Sequence, residues 1–335
     1  TGSHIVSDIS QKISIAETLT RNLASAGETL PKDSKLFRKV IPQIINTKQN
    51  QSFIAGGGIW PEPENFTPGV ERSSFFWGRN NKGHLEYFDQ YNNLDGSGYH
   101  NEEWYVSGQY SKQGECIWSK SYMDPYTLAP MVTCTVAMFE KEQFTGNATV
   151  DVSLQQLKSI LHQGIRKLGG YAYAVDRNNK FLSFPDETLT KLPNKEKGNE
   201  TSEYINADQL ASKIIQFQPI ADILNKINES LIFSTIESND LLAEEIAAQS
   251  NQISQKEAQL IIANMLILRG QDNHLNTKTT SIVSQQDYLL GEPVNVSIFI
   301  MPKTLWKIVV VTPQKVAINS ASDVANKILV LLIAV

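Results

Sequence analysis

The chain has 335 residues, 41% of them apolar and 19% charged, with a formal net charge of -5. That length sets a prior of about two domains at roughly 100–200 residues each and is ample for a buried core. The mild acidity excludes a nucleic-acid partner, because no basic field exists to release phosphate counterions. Ordinary apolar content without enriched glycine or proline excludes collagen-like and disordered chains, and 2 cysteines cannot build a disulfide scaffold or a self-contained zinc site.

Thr1-Gly2-Ser3-His4 reads as a tag remnant, residues 1–4, and no signal peptide follows it. Ile9, Ile13, Ala16, Leu19, Leu23 and Ala26 recur at helical spacing until Pro31 interrupts them, which predicts a long N-terminal helix, assigned to 5–42. Strands and turns take over from Gln43. Ser52–Ala55 runs into Gly56-Gly57-Gly58, glycines that let the chain turn tightly or approach another backbone. Ser74–Trp77 and Leu85–Phe88 flank an Asn-Asn-Lys-Gly turn and read as a hairpin. Further strands are expected at Ile117–Ser121, Met131–Phe139 and Ala148–Leu154, then a helix over Val152–Leu168.

A second strand set opens at Gly170–Val175 and Lys180–Phe184. The stretch from Ala207 to Arg269 has few turn residues and reads as helical in several pieces, with Pro219 beginning or kinking one of them. Strands return at Val294–Ile300 and Trp306–Val311. Ser322–Val335 reads as a helix ending in eight apolar residues, Ile328 to Val335, far short of the roughly 20 that span a bilayer. A buried terminal element explains that run, and so does a chain cut just inside a transmembrane helix. The layout is α+β, and its two halves echo each other.

Candidate chemistry is densest between Tyr87 and Asp151. Tyr99, Glu102, Trp104 and Tyr105 form one group; Trp118, Lys120, Tyr122 and Asp124 form a second, sharing one face if the strand runs through. Asp151 interrupts an apolar strand and must be paired, exposed or used, unless it caps the helix that follows. The bland readings are core tryptophans at Trp104 and Trp118 and a solvated acidic pair at Glu102 and Glu103. Taken together, aromatic walls with carboxylates on the rim make a site for an organic cation. Two acids such as Glu102 and Asp124 with aromatic platforms also admit a carbohydrate-active enzyme. No Gly-x-Ser-x-Gly elbow, His-Glu-x-x-His helix or phosphate loop occurs, so no catalytic residue, metal or cofactor is expected. Cys116 and Cys134 lie on neighbouring predicted strands and either form a disulfide or are two separate thiols.

Trp104-Tyr105, Tyr122-x-Asp124 and Asp151 within Thr149–Leu154 resemble the double Cache (dCache, PDC-like) sensors, the periplasmic domains of bacterial chemoreceptors, histidine kinases and diguanylate cyclases. Gly170–Asn178 is similar to the opening hairpin of that family's second module and Trp306–Pro313 to its closing strand. The resemblance implies a long N-terminal helix and two tandem Cache (PAS-like) modules, each an antiparallel sheet flanked by helices. It places a membrane-distal, ligand-binding module at 43–165 and a membrane-proximal module at 166–320 with a helical insertion at about 205–270. An exit helix at 321–335 would lead into a truncated transmembrane segment. It implies a non-enzymatic, periplasmic fragment of an inner-membrane receptor, dimeric through the N-terminal helix. In amino-acid-binding members an Arg two residues before the Trp-Tyr pair grips the ligand carboxylate, and a Tyr lies seven residues before the Trp. Here those positions hold Glu102 and Ser97, and Tyr99 is the nearest ring. The Asp that takes the ammonium is kept as Asp151. The expected ligand is therefore a small amine, with Asp151 and Asp124 on the ammonium and Trp104, Tyr105 and Tyr122 as walls. Glu102 holds a second positive charge or faces solvent. Another small molecule, whether amino acid, purine or carboxylate, is the alternative.

Overall fold

The computed structural model describes residues 2–47, 51–80, 82–96, 98–165, 169–194, 201–233, 239–270 and 279–316. The apolar terminus and the exit helix expected at 321–335 lie outside them, as does Ser97. The expected single helix is two: α1 (Gly2–Thr29) and α2 (Ser34–Ile45), parted at Pro31 and restarted by Asp33, whose side chain accepts the Lys35 N–H at 2.8 Å. Residues 2–4 form the first turn of α1. The first module continues with β1 (Ile54–Pro61), β2 (Phe75–Arg79), β3 (Leu85–Phe88), α3 (Glu103–Gln109), β4 (Cys116–Trp118), β5 (Tyr122–Met123), β6 (Pro130–Glu140), β7 (Gln143–Ser153) and α4 (Leu154–Ile165).

The second module comprises β8 (Tyr171–Val175), β9 (Phe181–Ser183), α5 (Glu187–Thr190), β10 (Lys191–Asn194), β11 (Thr201–Tyr204), α6 (Ala207–Lys213), α7 (Gln218–Phe233), α8 (Asp240–Gln249), α9 (Gln255–Leu268), β12 (Thr279–Ser284), β13 (Val294–Met301) and β14 (Trp306–Pro313). The β10–β11 hairpin and the edge strand β12 carry too few apolar residues to announce themselves in sequence. Sheet order makes the internal repeat explicit. The first sheet runs β3-β2-β1-β7-β6-β4, with β5 also on β6, and the second runs β9-β8-β14-β13-β12. Every pairing is antiparallel, and the order β2-β1-β7-β6-β4 is reproduced by β9-β8-β14-β13-β12.

Side chains alternate across a strand, so each sheet has two faces. On the first sheet Ile59, Phe75, Val132, Cys134, Val136, Val150 and Val152 face Ile9, Ile13, Leu19 and Leu23 of α1, in one continuous apolar core. Helix α1 also packs on β13 of the second module, and its buried Glu17 accepts from Lys303 there at 3.2 Å. Cys116 and Cys134 lie on this α1 face and are joined in a disulfide, with Cα atoms 5.6 Å apart.

The long helical stretch does more than thicken its own module. Ala243 and Ile246 of α8 and Ile261, Ile262 and Met265 of α9 pack against Val106 of α3 and Ile117 of β4. The α8–α9 pair thus covers part of the other face of the first sheet.

Candidate functional site

The face of the first sheet away from α1 is polar where α8 and α9 do not reach it. One row across four strands reads Gly78, Gly56, Asp151, Thr133, each residue the register partner of the next. The next row along reads Phe76, Gly58, Thr149, Thr135. A Cβ on Gly56 would lie 2.6 Å from the Trp77 carbonyl and 3.0 Å from Asp151 Oδ2, so glycine there is a close approach of strands that also leaves the floor beside Asp151 bare.

Asp151 is buried at the end of that bare floor. Its Oδ1 accepts from Thr133 Oγ1 at 2.7 Å, and Thr133 Oγ1 in turn meets Tyr122 Oη at 2.7 Å. Its Oδ2 is buried with no hydrogen-bond partner. Loss of water raises the carboxyl from its ordinary 3.8 to about 7, the Thr133 bond opposing and the nearby Asp124 charge adding to the rise. A buried carboxylate with one idle oxygen costs free energy that a cation or a proton recovers.

Above the floor stands a cluster of rings. Trp60 lies 4.8 Å from Trp104, 4.9 Å from Tyr91 and 5.3 Å from Phe76 between centroids. Tyr99 and Tyr105 extend it, each hydroxyl spent on an anchor: Tyr99 on the Pro61 carbonyl at 2.6 Å and Tyr105 on Glu62 at 2.5 Å. Tyr122 and Tyr91 complete the wall nearest the carboxylates. Both hydroxyls are held well above their usual range by burial and then by the charges of Asp124 and Glu102, with Asp151 acting on Tyr122 as well. The charges that bear on these two rings are all negative.

The sequence-predicted residues do not share one role. Tyr99, Trp104, Tyr105 and Tyr122 belong to the ring cluster. Asp124 is close by and buried but already occupied: Oδ2 accepts from Tyr91 at 2.5 Å, and Oδ1 accepts from Tyr126 N–H, Thr127 N–H and the Thr127 hydroxyl. It shapes the 124–128 turn and hangs Tyr91 in place. Glu102 flanks the start of α3 at the rim, where Gln252 Nε2 donates to it at 3.0 Å. Trp118 is not in the site. Strand β4 ends at Trp118 and β5 resumes at Tyr122, so alternation does not carry across the break; Trp118 points to the α1 face and packs edge-on against Trp306 at 5.3 Å. Lys120 likewise turns to Glu257 at 3.0 Å. Glu103 is a buried ion-pair partner of Arg177 rather than a solvated acid. Asp151 caps no helix, lying two residues inside β7.

Trp60, Phe76, Tyr91 and Thr133 were not foreseen as site residues. Only Trp60, next after the glycine run and one residue along, offered a signal; the others reach the site through strand register and a turn. Among the described residues, no group of three or more His, Cys, Asp or Glu could hold a metal ion, and no helix is long and apolar enough to cross a membrane.

Residues 40–159 match the family model for the first PDC sensor domain of methyl-accepting chemotaxis protein-like receptors. With the repeated sheet order, the fold is that of two tandem Cache modules, and the first of them carries the family match. Solved structures agree on the fold. The extracellular domain of mmHK1S-Z2, described as a histidine kinase, is similar with a TM-score of 0.56 and 17% identity over 94% of this chain and 95% of that one. A methyl-accepting chemotaxis protein X gives 0.57 and 13% over 93% and 94%. The extracellular domain of soHK1S-Z6, also described as a histidine kinase, gives 0.55 and 17% over 95% and 92%. No curated protein matches the chain by sequence. The matched family model is that of a sensor domain, which lends the carbohydrate-active alternative no support.

Proposed function

We propose that the chain is a double Cache domain, the extracytoplasmic sensing part of a bacterial transmembrane receptor, and that its first module binds a small organic amine. The observation that carries the ligand class is the idle, buried Oδ2 of Asp151, set at the end of a glycine floor beside Tyr91 and Tyr122, the two rings on which the charges of Asp124 and Glu102 bear. An ammonium placed there gains a charge-assisted hydrogen bond and ring faces on its flanks. An α-amino acid would bring a carboxylate toward Glu102, and the guanidinium of Arg72, whose charge reaches Tyr99 and Tyr126, has its two terminal nitrogens on the carbonyls of Asn93, Asp95 and Gly96. Two carboxylates acting on the same ring, Asp151 and Glu102 on Tyr122, favour a ligand with two positive charges.

The Cys116–Cys134 bond supports an oxidising compartment, and the two related histidine-kinase structures are described as extracellular domains. In this reading the chain is periplasmic, attached to the inner membrane by flanking helices, and dimeric along α1. Bound amine would bias two arrangements of the receptor by its different affinity for each.

A thermal-shift screen against amines, amino acids, purines, organic acids and sugars tests the ligand class, run in parallel on Asp151→Asn. At about a hundred times Kd, one-site binding adds about 2.7 kcal/mol and raises the melting point by several degrees. A rise with amines that disappears in Asp151→Asn is expected. A rise confined to another class would refute the amine.

A further inference from the structure

The two segments that close the site stand on the second module. One is α3, which carries Trp104 and Tyr105; the other runs from Trp118 to Asp124 and carries Tyr122. Both are gripped by the turn between β8 and β9. Arg177 of that turn donates to the Glu103 carboxylate at the head of α3 and to the Trp118 carbonyl. Its neighbour Asp176 accepts the Ser121 N–H at 3.0 Å. The second oxygen of Glu103 accepts the Lys120 N–H at 3.2 Å, so one carboxylate ties the two segments to each other as well as to Arg177. Ser107, a turn further along α3, donates to the same group at 3.2 Å.

The turn is itself fixed from behind. Asp176 Oδ1 accepts from the N–H groups of Asn178 and Lys180 at 2.8 and 2.9 Å. The Arg177 carbonyl accepts from Asn228 of α7 at 2.8 Å and from Lys307 of β14 at 3.0 Å. Arg177 is 1% exposed and Glu103 3%. A buried pair of this kind seldom adds net stability over well-packed apolar side chains of similar size. What it supplies here is a fixed position for both walls.

We propose that Arg177, with Asp176, is a positioning residue for the ligand site of the first module, and that through it the site's affinity is linked to the state of the second module. The inference rests on the site placed above. Linkage is reciprocal: a ligand that draws Trp104, Tyr105 or Tyr122 onto itself pulls on the β8–β9 turn, and through Asn228 and Lys307 on α7 and β14.

Hydrogen exchange on the whole chain without ligand, beside calorimetric titration with 1,4-diaminobutane, tests this. The Glu103→Met, Arg177→Met double variant replaces the pair with apolar side chains and keeps the volume filled. We expect its melting point to stay within about 3 °C of the parent. Amides of α3 and of residues 118–124 are expected to exchange at least about tenfold faster, with those of Gly57 and Val150 unchanged. The dissociation constant for 1,4-diaminobutane should rise about tenfold or more. Unchanged exchange in the two segments would overturn the proposal. So would uniform acceleration of the whole sheet, or faster segments with an unchanged dissociation constant, since a purely structural tie gives both. Should the double variant not fold, Arg177→Lys keeps the charge but lacks the fork that serves Glu103 and Trp118 together. The same segmental acceleration with a raised dissociation constant then supports the proposal, and parental exchange or an unchanged dissociation constant overturns it. Failure of the parent to bind 1,4-diaminobutane refutes the dicationic ligand; the dissociation constant of the amine giving the largest thermal shift then takes its place beside exchange in the two segments.

Discussion

Replacing Asp151 by Asn removes a charge that the fold is built to hold at a cost. The carboxyl rises from 3.8 to about 7 because burial strips it of water while Thr133 satisfies one oxygen and leaves the other bare. A raised carboxylate means that the folded state binds the proton more tightly than the unfolded chain. Between about pH 4 and pH 7 the folded state therefore carries more protons, and stability falls as pH rises through that window. At about 1.4 kcal/mol per pH unit, the cost fully developed above pH 7 is roughly 4 kcal/mol. Asparagine carries no such cost. The melting point of Asp151→Asn, measured against the parent by scanning calorimetry, should be close to it at pH 4 and higher by several degrees at pH 8. Taking the difference between the two proteins cancels the other buried groups, among them Asp176, raised by burial, and Lys307, lowered to about 7. A difference that does not change between pH 4 and pH 8 would refute the reasoning, because it would mean that Asp151 is as well solvated folded as unfolded.

Gly56→Ala should weaken both folding and amine binding, since the new methyl meets the Trp77 carbonyl at 2.6 Å and crowds Asp151 Oδ2; a loss of about 1–3 kcal/mol in urea titration is expected. Reducing Cys116–Cys134, or replacing both by Ser, should cost about 2–4 kcal/mol in the same assay. Trp118→Ala should destabilise by about 3–5 kcal/mol and leave the amine dissociation constant of the folded fraction unchanged, because the side chain lies on the opposite face of the sheet. Asp124→Ala should weaken binding by releasing Tyr91 and the 124–128 turn, read out as faster exchange of the Tyr126 and Thr127 amides.

Local pattern made the elements readable. The 3.6-residue spacing of Ile9, Ile13, Leu19 and Leu23 gives α1, the Asn-Asn-Lys-Gly turn gives β2–β3, and the halves' likeness becomes a repeated sheet order. What local pattern cannot carry is a partner far along the chain. Glu103 looks like one of two solvated acids until Arg177, 74 residues later, arrives beside it. Nothing within 240–268 indicates that α8 and α9 pack on Val106 and Ile117 of the other module. Trp118 and Tyr122 seem to share a strand face because period two was extended across Ser119–Ser121, where the strand breaks. Asp151 was the most legible residue, since a carboxylate in Val-Asp-Val is conspicuous in any strand. The glycines beside it were harder to interpret: only register shows that Gly56 and Gly78 form a floor with Asp151 and Thr133.

The most direct test is to count protons when the amine giving the largest thermal shift binds at pH 6, by calorimetry in buffers of different ionisation heat. With Asp151 largely protonated beforehand and ionised beneath the ammonium afterwards, the account predicts release of nearly one proton per amine, and none in Asp151→Asn. Binding with no proton released by the parent would place the cation elsewhere and contradict the account.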